Sequence, residues 1–281
     1  MITITTIKDM RDYSAEVRRN GKTIGFVPTM GYLHEGHLGL VRESVLTSFR
    51  TVASIFVNPA QFGPNEDLDK YPRNTEKDKE LLEGVKADVL FFPSVREMYP
   101  EGYSTYVTVE GALTDTLCGA LRPGHFRGVA TVVLKLLNIV DPDRAFFGQK
   151  DAQQAIVIKR MAKDLDLRAD IRVMPIIRDE DGLAMSSRNV YLSPIERAKA
   201  TVIYKSLSAA VDLVKKGERS VREIKLAMSA MLEAEGVRTD YIAAVGADDL
   251  RPVEKIKGRT LIAVAAWVGS TRLIDNVIVE R

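Results

Sequence analysis

Cysteine is almost absent from this chain of 281 residues: Cys118 is the only one. One thiol cannot close an intrachain disulfide, and a four-ligand Cys/His zinc site would consume that thiol together with all three histidines. Charge of one sign is equally scarce. The formal balance is only +2 and no basic patch stands out, which counts out nucleic acid and acidic membranes as partners. Long apolar runs are missing too: Val129 to Val140 is interrupted by Lys135 and Asn138 and is too short to span a bilayer. Met1 to Thr5 lacks a basic start ahead of an apolar stretch, so no signal peptide is expected and the compartment is read as cytoplasmic and reducing. Neither Gly-x-x-x-x-Gly-Lys-Ser/Thr nor Gly-x-Gly-x-x-Gly occurs, which argues against P-loop and dinucleotide-binding proteins.

What is present is the composition of a soluble globular protein, 46% hydrophobic and 28% charged, long enough for one large domain or two unequal ones. β-rich runs at 23–28, 51–57, 87–93, 144–148 and 168–176 alternate with helical patterns at 36–48, 75–82, 128–140 and 152–165. That alternation predicts a parallel sheet with helices on both faces, its ligands beyond the carboxyl ends of the strands. The texture changes after Arg178. Asp179-Glu180-Asp181-Gly182 reads as an acidic hinge, and Ser193-Pro194-Ile195-Glu196 as a capped helix start with the helix running to about Lys216. A second helix at 221–235 and β-like segments at 240–245, 260–268 and 271–279 complete a smaller α+β unit. The expected division is 1–177 and 178–281.

The sharpest local signal is Pro28-Thr29-Met30-Gly31-Tyr32-Leu33-His34-Glu35-Gly36-His37, at a strand-to-helix junction. His34 and His37 share one face of a helix start, where free N–H groups and the helix dipole favour an anion and imidazoles can donate to phosphate oxygens. A bare His-x-x-His could equally cap the helix or bind metal, but the strand, the glycines and the two histidines together favour catalysis; the spacing around Glu35 is wrong for a zinc protease. Phe146-Phe147-Gly148-Gln149-Lys150-Asp151 closes another strand and delivers an ammonium to the same edge of the sheet. Gly182-Leu183-Ala184-Met185-Ser186-Ser187-Arg188 supplies two hydroxyls beside a guanidinium, a donor set for polyphosphate that the second unit could close over the first. Asn58 and Gln61 follow the second strand, and Gln153 and Gln154 begin the helix after Lys150; neutral amides of this kind suit a hydroxy acid. His125, read as a loop residue between Arg122 and Arg127, and Tyr71-Pro72-Arg73 stay undecided between substrate binding and structure.

In order and spacing these motifs resemble the pantothenate synthetase (pantoate–β-alanine ligase) family, from about Thr23 to the segments Trp267-Val268-Gly269 and Arg272-Leu273-Ile274-Asp275-Asn276. The resemblance implies an α/β fold, a Rossmann-like nucleotidyltransferase domain with a smaller C-terminal α+β lid, assembled as a homodimer. It implies that ATP, pantoate and β-alanine give pantothenate, a coenzyme A precursor, with AMP and pyrophosphate, through a pantoyl-adenylate and with magnesium. It further implies that Met30, Gly31, Tyr32, Leu33, His34, Glu35, Gly36 and His37 line the ATP phosphates, His37 being the proton donor. Gly148, Gln149, Lys150, Asp151, Ile177, Met185, Ser186, Ser187 and Arg188 would complete the nucleotide site, and Gln61 and Gln154, with Asn58 nearby, would hold pantoate. The catalytic set is His37, His34 and Lys150. Two departures stand out: Ser44 to Arg50 is more apolar than is usual there, and Lys77 occupies a place where some members carry an acid near magnesium, so no protein ligand is assigned to the metal. Two rivals are weighed against this reading: a nucleotidyltransferase joining a nucleotide to a phosphate substrate, which would want more cations in the acceptor pocket, and a non-catalytic nucleotide sensor.

Overall fold

The computed structural model describes residues 1–64 and 66–280. In chain order the first part contains β1 (Ile2–Ile4), α1 (Ile7–Arg19), β2 (Ile24–Thr29), α2 (Glu35–Thr47), β3 (Arg50–Ile55), α3 (Thr75–Gly84), β4 (Val89–Phe91) and α4 (Val95–Met98). It continues with α5 (Ala112–Asp115), α6 (Leu117–Leu121), α7 (His125–Val140), β5 (Arg144–Gly148), α8 (Ala152–Asp164) and β6 (Asp170–Met174). The six strands form one parallel sheet in the order β1-β4-β3-β2-β5-β6. β2, β3 and β4 are buried almost throughout, as expected of strands covered on both faces. β1 and α1 carry no motif and were not anticipated: a three-residue edge strand is too short to show a period.

Strand order reverses at β2, whose neighbours are β3 on one side and β5 on the other. β2 and β5 are paired only at Gly25–Arg144 and Phe26–Ala145, so their carboxyl-terminal halves part. A crevice opens there, and a switch point of this kind is where open α/β sheets take their ligands.

The second part comprises α9 (Pro194–Ala200), α10 (Val202–Lys215), α11 (Val221–Ala234) and the antiparallel meander β7 (Arg238–Gly246), β8 (Thr260–Val268) and β9 (Thr271–Val279). Its core is drawn entirely from residues 183–279, with Ile203, Leu207, Met228 and Leu232 of the helices packed on Ile262, Val264 and Ala266 of β8. Alternate β8 residues, Leu261 and Ala263, face the other way and pack with Leu117 and Ala152 of the first part. The Ser193 cap is as read, with Glu196 reaching back to the Ser193 N–H. The single helix expected from Pro194 to Lys216 is instead two. At Thr201 the N–H and the hydroxyl both turn back to the Ala198 carbonyl, and this local bond interrupts the regular ladder. The acidic stretch at 179–182 is a tight reversal, with Asp179 N–H bonded to Leu183 O and Arg197 paired to both Asp179 and Asp181. Of the apolar residues between Ser44 and Arg50, Leu46 and Phe49 lie on the surface, Phe49 beneath the Lys22 ammonium.

Candidate functional site

Two adjoining cavities occupy the crevice and the cleft beside it, with volumes of about 220 and 830 Å³. The smaller is walled by Met30, His34, His37, Gln61, Gly148 and the strap at Ile177 and Met185–Arg188, with Val132, Val133 and Leu136 of α7 as an apolar side. The larger runs between the first part and the β7-β8-β9 sheet, past Tyr241, Trp267 and Arg272. Lys150, Asp151, Gln154, Ser186 and Arg188 line both.

The two histidines cap their own helix and face the crevice at once. His34 is the N-cap of α2, its Nδ1 accepting from the Gly36 N–H at 3.1 Å, and His37 Nδ1 accepts from the His34 N–H at 3.4 Å. A ring nitrogen that accepts from a backbone N–H carries no proton, so both imidazoles are neutral with Nε2–H as their donor. Burial, reinforced by nearby Lys150, lowers the His34 pKa to about 4; burial and then the neighbouring His34 hold His37 well below the usual histidine range. The ring centroids are 4.1 Å apart. Gly36 permits this folding back, since a Cβ there would meet the His34 ring at 2.7 Å.

The backbone donors expected to greet an anion are largely engaged. Asp78, buried on α3, accepts from Tyr32 N–H at 2.8 Å and Leu33 N–H at 2.7 Å. It thereby holds Tyr32 in the left-handed region at φ 51°. Burial raises the Asp78 pKa against the pull of these two donors. Gly31, Tyr32 and Leu33 therefore shape the turn without walling the cavity, and the Leu33 side chain lies in the core. Glu35 points to solvent, paired with Arg42. Gln149 is also outside the walls: its amide donates to Asn276 Oδ1, and Asn276 Nδ2 donates to the Gln149 and Lys150 carbonyls, tying β9 to the turn after β5.

Lys150 reaches both cavities, and no ion pair to it is found among the described residues. Gln154 lines both as well, and among the described residues its amide has no protein partner. Gln153, beside it, serves structure: its amide holds Cys118 N–H and the carbonyls of Leu113 and Thr116. On the strap, Ser187 donates to Tyr32 O at 3.0 Å, and Ser186 Oγ accepts from Arg188 N–H. Arg188 makes a two-point pair with Asp67 at 2.9 and 2.8 Å and lies over the Tyr71 ring. That pair uses Nε and Nη2, so a phosphate taking the same two-point edge must displace Asp67, whereas among the described residues Nη1 stays open to one.

Gln61 faces the smaller cavity with Nε2 at 3.2 Å from Met30 Sδ. Asn58 lines the same wall but is only 1% exposed, its amide fully bonded within the chain. His125, expected in a loop, is the first residue of α7 and is buried. Arg122, which can only donate, lies 3.0 Å from its Nε2, so Nδ1–H donates to the Gln61 carbonyl at 2.8 Å. Burial, with Arg122 alongside, lowers the His125 pKa to about 4. Sequence reading missed Asp78 and Asp67, because a lone aspartate in a helix or loop carries no local signal of the backbone or guanidinium it will meet.

Among the described residues no three His, Cys, Asp or Glu side chains gather as a metal cage. Asp67 and Asp78 are already engaged, which leaves Asp151 as an exposed carboxylate on the crevice wall.

Comparison with known proteins identifies the family and the fold. Residues 2–278 match the family described as pantoate-beta-alanine ligase. Pantothenate synthetases from Caldicellulosiruptor saccharolyticus and Acetivibrio thermocellus are each 57% identical over 281 residues, with both chains covered in full. The crystal structure of pantothenate synthetase from Thermus thermophilus superimposes with a TM-score of 0.93 at 47% identity, covering 99% of each chain. That of pantoate-beta-alanine ligase from Francisella tularensis, complexed with beta-gamma ATP and β-alanine, gives 0.82 at 34% identity, covering 99% of this chain and 97% of that one. The chain belongs to the pantoate-beta-alanine ligase family.

Proposed function

We propose that this chain condenses pantoate with β-alanine at the expense of ATP, through a pantoyl-adenylate, releasing pyrophosphate and then AMP. The observation that carries it is the convergence of two neutral imidazoles, one ammonium and two glutamine amides on a single crevice at the strand switch point. A carboxylate is a poor electrophile because its charge is delocalised and oxide is a bad leaving group. Attack by a pantoate oxygen on the α-phosphorus, with the bond to the bridging oxygen breaking, turns that oxygen into part of a departing AMP. Negative charge gathers on the α-phosphate and on pyrophosphate, where Lys150 and the Nε2–H groups of His34 and His37 are placed to receive it. A neutral imidazole donates a hydrogen bond through Nε2–H; the triphosphate's own charge favours the imidazolium, and for His37 to form it and release a proton to the leaving group its Nδ1 must first give up the His34 N–H. The β-alanine amine then attacks the acyl carbon and AMP leaves. Gln61 and Gln154 offer donors to pantoate's oxygens, and the α7 side accepts its methyl groups.

Magnesium is proposed to accompany the triphosphate. Asp151 on the crevice wall would be the carboxylate nearest to such an ion, which would neutralise phosphate charge. The division into 1–177 and a lid of 178–281 is supported by the separate second core; a homodimer is proposed from the family, and a cytoplasmic location agrees with the single cysteine. The deciding experiment is ATP–pyrophosphate exchange with pantoate, followed by β-alanine. Exchange that requires pantoate, with AMP appearing on addition of β-alanine, is expected; exchange indifferent to pantoate would refute the assignment. Gln61→Ala should weaken pantoate by tenfold or more while leaving ATP within about twofold, the loss of one or two hydrogen bonds. Titration of both substrates checks it, and equal weakening of the two contradicts the role.

A further inference from the structure

Asn58 stands between two backbone groups of fixed polarity. The Ala60 N–H, which can only donate, faces one end of its amide at 3.3 Å, so that end is Oδ1. The Gly128 carbonyl, which can only accept, faces the other at 3.1 Å, so that end is Nδ2. Gly128 allows this approach, since a Cβ there would meet the Ala60 carbonyl oxygen at 2.2 Å. The second Nδ2 hydrogen goes to the Gln61 side chain at 3.0 Å, so the Gln61 atom it meets is Oε1. Nε2 with both its hydrogens is thereby turned to Met30 and the cavity. The Tyr99 hydroxyl, 2.8 Å from Asn58 Oδ1, must donate. It comes from the end of α4 and is not among the cavity walls.

We propose that Tyr99 is a positioning residue for the acid substrate: through Asn58 it holds the Gln61 amide as a pure donor, which selects a ligand presenting an oxygen acceptor. The proposal deepens the pantoate reading of this cavity and rests on it for the identity of the acid. The hydroxyl supplies the strong donor to Oδ1, where the Ala60 N–H alone is long. His125 pins the Gln61 main chain from the opposite side, so the side-chain torsions are what the relay restrains. An amide free to turn would present its oxygen to a carboxylate part of the time.

The test is Tyr99→Phe, which keeps the ring contacts with Phe56 and Tyr103 and removes only the hydroxyl. A rise of about fivefold to tenfold in KM for pantoate is expected, with KM for ATP within twofold. In a Gln61→Ala background the same change should add less than twofold, because its route of action is gone. Multiplying effects, or KM values that rise together for both substrates, would overturn the proposal, since a general loosening behaves that way. Asn58→Asp is the second variant: with no hydrogen to give, it should invert the Gln61 amide and raise KM for pantoate further than Tyr99→Phe. Substrate-free 15N NMR judges the relay separately from the function. The side-chain amide signals of Asn58 and Gln61 should be slow to exchange in the wild type and should shift and exchange faster in Tyr99→Phe. Unchanged signals refute the relay whatever the substrate; wild-type protein with those signals as expected but no pantoate-dependent exchange refutes the pantoate reading alone.

Discussion

Each imidazole at the start of α2 uses Nδ1 for the helix and keeps Nε2–H for the crevice, so the arrangement that caps the helix also leaves the donors proposed to meet phosphate. The capping and catalytic readings of His34 and His37 are therefore compatible at this position. His37→Ala should slow adenylate formation by about a hundredfold or more, the usual consequence of removing one transition-state donor. Single-turnover measurement checks it, and a near-normal rate would remove His37 from the chemistry. The residues that could be picked out from sequence were those with an uncommon chemical group at a strand end: the two histidines, Lys150 and Gln61. Those that could not are residues whose part depends on a partner far along the chain. Asp67 meets Arg188 across 121 positions, and Tyr99 meets Asn58 across 41. No local pattern encodes such pairs.

At the scale of elements, α3 governs the start of α2. Asp78 supplies two acceptors to consecutive N–H groups, and the turn they belong to includes a tyrosine with positive φ, a conformation that needs outside support. Asp78→Asn would set an NH2 against one of those N–H groups. A loss of about 1–3 kcal/mol in stability is expected from the unpaired donor. The fall in kcat should be larger than any change in pantoate KM, because the turn carries the imidazoles and not Gln61. Urea unfolding and steady-state kinetics measure the two; full kcat in a destabilised variant would show that the turn tolerates movement. Elements with a strong period or cap were readable, as for the central strands and Ser193-Pro194-Ile195-Glu196. The break at Thr201 was not, because a side chain bonding back to its own helix leaves the apolar pattern untouched.

Across the whole molecule, all three histidines are held neutral by burial, which links stability to pH. In the unfolded chain they take up protons near pH 6.5, whereas folded His34 and His125 do so only near 4, and His37 too is held well below its ordinary value. Between those values the unfolded state binds more protons. Stability is therefore full above about pH 6.5 and is lost as pH falls towards 4. Asp78 and Asp275, pushed up by burial, oppose the trend at the acid end. His125 is only 9% exposed, so its share is roughly 3 kcal/mol by pH 4. His125→Asn, which keeps a donor for the Gln61 carbonyl, should reduce the pH slope of unfolding free energy between 6.5 and 4.5 by about one proton. Urea titrations across that range decide it, and an unchanged slope would mean that His125 is charged in the folded protein. Saturating ATP should act on the other two histidines. Phosphates beside their Nε2–H groups draw a proton to each ring, which must enter at Nδ1 and open the cap of α2; a flattening of what remains of the slope, with the contribution of His125 in place, would report that opening.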